Sequence, residues 1–318
     1  MIKILKVFIS ILVVFSLLGC ESKKEELTIG MSPWPGYEPL VLALEMGYYN
    51  DTKVKIVRYP TPTESFKALR DGVVEVAAFT VDEVLNYSEV NTKPKIFLIL
   101  DVSNGGDALI AKPDIKTLND LKGKRIGAEP SALGDYLMSR VFDFADGVTR
   151  EDVIVKPIEI SSQPLAYKNN EVDALITYNP AKSIMMKDGA HVLFDSSKIP
   201  YEIVDVMIAH EQTIHNKKEA LIDLKNGWFK ALAYISKNKN KAMKQMAGYE
   251  HLSTVEFQES FNELLIPSLK ENIEMLNKSN LKLHKSISRL STLMYKKGTL
   301  SSKIQIDNLF TSDIVLGK

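Results

Sequence analysis

From residue 27 onward the chain alternates two kinds of apolar spacing. Short β-branched runs, LTIGMS, VKIVRY, VEVAAFT and PKIFLILDVS, are separated by stretches whose apolar positions recur every three to four residues. PLVLALEMGYY reads as a helix stopping at Gly47. TESFKALRDG reads as a helix with Thr63 as N-cap and Gly72 as its stop, and a third helix starts near Asp82. A second series begins near residue 113: KRIGAE, a helix through SALGDYLMSRVFDFA, then VIVKPIEI, SQPLAYKNNE, VDALITY, NPAKSIMMKDG and HVLFDS. After about residue 203 the strand-like IVDVMIAH gives way to almost unbroken helical spacing up to Gly298. Repeated β-α units imply an α/β fold with doubly wound, mostly parallel sheets. The expected division is one lobe over 27–110, a second over 111–203, and a return to the first over 204–318 with C-terminal helices. Two crossovers, through SNGGDALIA and PYEIVDVMIA, join the lobes.

The first twenty residues follow another pattern. MIKILK supplies two lysines, VFISILVVFSLL is too short for a comfortable membrane span, and LLGC is followed by the polar ESKKEE. This resembles a bacterial lipoprotein signal. The resemblance implies that residues 1–19 are removed, that Cys20 is lipid-modified, and that 20–26 form a short tether. The alternative is an ordinary signal peptide or short anchor with an incidental cysteine. Cys20 is the only cysteine in the chain, so the mature domain offers no disulfide, thiolate metal site or cysteine nucleophile.

Composition narrows the function classes. The 318 residues balance 40 basic against 40 acidic side chains, which leaves no net field to steer nucleic acid. The five histidines, His191, His210, His215, His251 and His284, are scattered without metal-ligand spacing, and the chain has no dinucleotide fingerprint or P-loop. No metal, cofactor or catalytic residue is expected.

In open α/β sheets, ligands bind beyond the carboxyl ends of the strands. Four strand-to-helix junctions carry strong helix-start signals here. In SPWPGYEPL, Pro39 suits the first helical position, Glu38 caps it or favours its positive end, and Gly36 lets backbone approach a ligand. In FTVDEV, Thr80 and Glu83 have capping-box spacing, with Asp82 between them. GAEPSALG offers Ser131 as N-cap beside Glu129, and TYNPAK pairs Asn179 with Pro180. Trp34, Tyr37 and Tyr178 are good walls for a small-molecule pocket. Asp107 and Asp205 each interrupt an apolar crossover, so each is expected either to bond across the hinge or to face a ligand's amino group. The acids favour a cationic group and the helix N-termini favour an anionic one. A zwitterion satisfies both.

The W-x-G-Y-x-P-L turn, AAFTVDE, the double crossover, and DALITYNPA followed by FDSSKIPYEIVDV resemble substrate-binding proteins of bacterial ABC importers, in the nitrate, sulfonate, taurine and thiamine-precursor branch, over about residues 27–235. The resemblance implies a two-lobe periplasmic-binding-protein fold of type II. Such a protein closes on one small solute and delivers it to a membrane permease powered by an ATPase subunit. Export, membrane contact through the lipid only and a monomer are expected with it. Some relatives of this fold are enzymes that rely on a cysteine-rich stretch together with histidine. The mature chain lacks such a stretch, so no enzyme is expected. By this resemblance the pocket draws on Trp34, Tyr37, Glu38, Thr80, Asp82, Asn104, Asp107, Glu129, Ser131, Tyr178 and Asn179. The loop GAEPSALG departs from the hydroxyl-rich loop expected of sulfonate and taurine binders, which argues against an alkanesulfonate. A competing role is sensing, in which the same lobes present their bound state to a membrane receptor.

Overall fold

The computed structural model describes residues 24–89, 93–277 and 279–318. The signal and Cys20 lie outside them. Two sheets organise the chain. The first is six-stranded and contains β1 (Glu25–Met31), β2 (Thr52–Arg58), β3 (Val76–Thr80), β4 (Pro94–Ser103), β10 (Val204–His210) and β11 (Leu264–Leu265), in the order β11-β4-β10-β3-β1-β2. The second contains β5 (Ala108–Ala111), β6 (Arg125–Ala128), β7 (Ile154–Pro157), β8 (Ala174–Thr177) and β9 (His191–Asp195), in the order β7-β6-β8-β5-β9.

Both sheets are mixed. β1 runs parallel to β2 and β3, and β6 runs parallel to β7 and β8. β10 is antiparallel to β3 and β4, and β5 is antiparallel to β8 and β9. The two reversed strands that sit inside the sheets are those that arrive from the other lobe. A chain that leaves β4 at the cleft and enters the next sheet from the cleft has to run away from it. The cleft therefore collects the C-terminal ends of β1, β3, β4, β6 and β8 together with the N-terminal ends of β5 and β10.

Short helices begin where the parallel strands end. They include α1 (Glu38–Glu45), α2 (Pro62–Arg70), α3 (Val81–Glu89), α4 (Ala132–Phe144), α5 (Gln163–Lys168) and α6 (Ala181–Lys187). α2 starts two residues earlier than its sequence suggests. Pro62 takes the first helical position, and Thr61, not Thr63, is the N-cap, its Oγ1 accepting from the Glu64 N–H at 3.3 Å. The C-terminal helices, among them the long Lys218–Lys237, pack back on the first sheet. Trp228, Phe257, Leu290 and Ile314 join Leu27, Ile29, Phe79 and Leu98 in one core. Smaller cores, around Ile126 with Phe194 and around Leu175 with Met185, cover the two faces of the second sheet. Among the described residues no helix is long and apolar enough to cross a membrane.

Candidate functional site

The strand ends border a pocket with a free volume of about 30 Å³, lined by residues from both sheets. From the first sheet come Ser32, Pro33, Trp34 and Tyr37 after β1, Pro62 after β2, Thr80 and Glu83 after β3, and Asp205 on β10. Asp107, beside β5, lies at the crossover. Glu129, Ser131 and Leu133 follow β6, and Tyr178 follows β8. Register sets the acids side by side. Asp205 pairs with Thr80 on one flank and with Asp101 on the other, so three cleft-end polar residues occupy adjacent strands.

The aromatic residues are held by these acids. The Trp34 indole N–H donates to Asp101 Oδ2 at 3.0 Å, and the Tyr37 hydroxyl donates to Asp205 Oδ1. The Trp34 and Tyr178 rings meet edge to face, 5.9 Å apart at 77°. The Tyr178 hydroxyl lies 3.5 Å from Glu129 Oε2, which is long for a hydrogen bond.

Carboxylates dominate the electrostatics. Glu83, Asp107, Glu129 and Asp205 line the cavity, and its lining holds no lysine, arginine or histidine. Burial, which penalises the charged form, is the first cause of a raised pKa in each. Asp107 is pushed up to about 6, Glu129 to about 7 and Glu83 to about 8. Asp205 rises well above the carboxylate range, with the like charge of Asp101 as the second cause. Behind the wall, Asp82 and Asp101 are each raised to about 7. Asp107 Oδ2, Glu129 Oε1 and Asp205 Oδ2 are buried without a hydrogen-bond donor.

The sequence profile of the family described as NMT1/THI5 like matches residues 34–242, a span that holds every lining residue except Ser32 and Pro33. The chain belongs to that family. No curated protein sequence matches this NMT1/THI5-like chain. Its fold is shared by the alkanesulfonate-binding protein SsuA from Xanthomonas axonopodis pv. citri bound to MOPS, at 15% identity and a TM-score of 0.75 over 91% of this chain and 99% of that one. A ligand-binding component of an ABC-type import system from Staphylococcus aureus, with zinc bound, is similar at 13% identity and a TM-score of 0.74 over 92% and 98% of the two chains. The desulfurization enzyme DSZB is similar at 14% identity and a TM-score of 0.71 over 92% and 98%. At these identities the likeness shows the periplasmic-binding-protein fold. It carries neither ligand nor activity across.

Within this NMT1/THI5-like fold, the structure brings Trp34, Tyr37, Thr80, Asp107, Glu129, Ser131, Tyr178 and Asp205 together around the cavity. Five expected residues stand elsewhere. Glu38 is fully buried away from the cavity, and its two oxygens accept from Arg58 Nη1 at 2.8 Å and Nη2 at 2.5 Å. Gly36 does not admit a ligand: a Cβ there would lie 1.9 Å from Asp101 Oδ2, so the glycine makes room for the acid that holds Trp34. Asp82 lies buried behind Thr80. Asn104 is exposed on the crossover, where its N–H donates to the Glu263 carbonyl at 2.7 Å. Asn179 caps α6, accepting from the Ser183 N–H at 3.2 Å, and its side-chain amide reaches Glu263.

The sequence reading missed Pro33, Pro62 and Leu133 as walls, and it read Glu83 only as a capping partner. Glu83 does both. Its Oε2 accepts from the Thr80 N–H at 2.9 Å while the side chain lines the cavity. Trp34 also has two roles, since it is 6% exposed and belongs to the first core as well as the wall.

Proposed function

We propose that this protein is the solute-binding component of an ABC importer, tethered outside the cell membrane by a lipid on Cys20. It captures one small polar solute as a monomer by closing its two lobes, and passes the solute to a permease driven by an ATPase. The cavity between the sheet ends carries this reading. It is walled by residues from both sheets, and Asp107, Glu129 and Asp205 each have a buried carboxylate oxygen without a donor. Each such atom costs about 1–3 kcal/mol when unsatisfied, so a solute bearing donors stabilises the closed form.

The crossovers supply the moving parts. Gly105 holds φ +117°, a conformation that favours glycine, and its N–H accepts no constraint beyond the bond it donates to Ser196 Oγ at 2.7 Å. Lys182 of α6 reaches the Gly105 carbonyl at 2.7 Å and Glu263 at 2.6 Å, joining the second lobe to the end of the helix Thr254–Asn262. These bonds join the lobes in this structure, so a solute that favours the closed form also favours them.

The same fold serves the enzyme DSZB, so fold alone does not separate binder from enzyme. The lining supports a binder: Asp205 is held by the Tyr37 hydroxyl and Glu83 by the Thr80 N–H, and neither histidine nor cysteine lies among the lining residues. Native mass spectrometry of protein purified without unfolding tests the reading. One retained small molecule per chain is the expected result. Deleting the chain while sparing its neighbouring permease should abolish uptake of that molecule. Unchanged uptake, coupled to a lost transcriptional or signalling response, would favour sensing instead.

A further inference from the structure

We infer that the solute is a small organic cation with no anionic group: a protonated amine or amidine on a compact apolar body, its head among Glu83, Asp107, Glu129 and Asp205. This rests on the proposed solute-binding role and deepens it.

At three of the helix N-termini at the cleft, which made a zwitterion attractive, one N–H is already taken by the chain's own side chains. At α3, Glu83 Oε2 accepts from the Thr80 N–H and hydroxyl at 2.9 and 3.0 Å. At α4, Ser131 Oγ accepts from the Gly134 N–H at 3.1 Å, and at α6 Asn179 takes the Ser183 N–H. The nearby cation Lys182 is engaged by Glu263 and the Gly105 carbonyl. A sulfonate or carboxylate entering the cavity would meet four acids and no counter-charge.

A cation meets the opposite situation. Asp107 and Asp205 are each 2% exposed and Glu129 is 8% exposed; all three line the cavity, and each has a buried oxygen without a donor. Among the described residues no group of three or more His, Cys, Asp or Glu is placed to hold a metal ion. The aromatic walls Trp34, Tyr37 and Tyr178 suit an organic cation's faces and N–H groups. An apolar annex lined by Pro33, Pro60, Pro62, Pro164, Pro180 and Ile184 adjoins the acidic chamber, since Pro33, Pro62 and Tyr178 line both. It takes the apolar body.

Binding then releases protons. Near neutral pH the empty chamber holds its acids partly protonated, and a cation draws them down. The charged or titratable groups that face them are Tyr37, Tyr178, Asp82, Asp101, Glu159, Lys182 and Glu263. Among these, Lys182, which Glu263 holds, and the hydroxyls of Tyr37 and Tyr178 favour ionisation.

Isothermal titration with benzamidinium, benzamide and benzoate, three planar probes of one shape and different charge, tests the inference on the mature chain. Benzamidinium should bind on the order of tenfold or more tighter than the other two. Its affinity should rise with pH between about 6 and 8, by up to about tenfold per unit for each proton released, and the heats should differ between buffers of different ionisation enthalpy. Glu129→Gln should weaken benzamidinium on the order of tenfold while the empty variant melts no lower than the parent. If benzamide or benzoate binds as well, or if benzamidinium binding is flat with pH, the cation inference falls and solute binding stands. If no probe of any charge binds, and amino acids and sulfonates also fail, the solute-binding role itself falls.

Discussion

Asp101→Asn should stabilise the solute-free protein, and the gain should grow as pH rises. Asp101 is fully buried and accepts the Trp34 indole N–H at 3.0 Å. Burial is the main reason its pKa moves from an ordinary 3.8 up to about 7. Between those values the folded chain binds a proton that the unfolded chain has released, so stability falls as pH climbs through that window. The whole separation corresponds to about 4 kcal/mol, of which about 3 kcal/mol falls between pH 5 and 8. Asparagine keeps an acceptor for the indole and a donor toward Asp205, and it has no charge to suppress. It also relieves the like charge beside Asp205, an effect of the same sign. Urea unfolding of parent and variant at pH 5 and pH 8 measures the gap, which should widen by about 3 kcal/mol at the higher pH. A gap that is constant with pH, or that narrows, would refute the view that Asp101 is a strained acid held for function.

Trp34→Ala should cost about 3–5 kcal/mol as well as abolish solute binding, because the ring is core and wall together. A ring that were wall alone would be lost with little cost to stability, and chemical denaturation distinguishes the two. Trp34→Phe should retain the wall but strand the Asp101 acceptor, costing about 1–3 kcal/mol. Glu38→Gln should lower stability by about 2–3 kcal/mol through loss of its forked bond to the partly exposed Arg58. It should spare solute binding, read by calorimetry, since Glu38 does not reach the cavity. Cys20→Ser should move the protein from the membrane to the soluble fraction, and unchanged fractionation would overturn the lipid tether.

The β-α alternation, the strand-to-helix junctions and the convergence of their loops were legible because each has a local signature of period, cap or proline. Strand direction was not. IVDVMIAH and DALIA are apolar in either sense, and only the crossing from one sheet to the other makes β10 and β5 antiparallel. Glu38 shows the same limit at one residue. A glutamate at a helix start reads alike whether it caps the helix, meets a solute or is buried. What decides is Arg58, twenty positions on, at the end of the neighbouring strand, where Met31 of β1 pairs with Arg58 of β2. Gly36 likewise answers to Asp101, a contact that no spacing rule reveals. Glu83 was visible as a cap but not as a wall, because its second role depends on α4 and Tyr178 closing the other side.

The double role of Glu83 has a consequence for selectivity. A fold that aims helix N-termini into a cleft favours anions when those N–H groups are open, since each terminus carries partial positive charge. A glutamate three residues past the end of β3 satisfies the terminus of α3 and leaves its own negative charge at the same place. Ser131 and Asn179 close the termini of α4 and α6 with neutral oxygens. With these N–H groups taken, the sign of the cavity passes to Asp107, Glu129 and Asp205, each with a buried oxygen that has no donor. Preference for charge is thus set by which side chains cap three helices, and not by the architecture that places them.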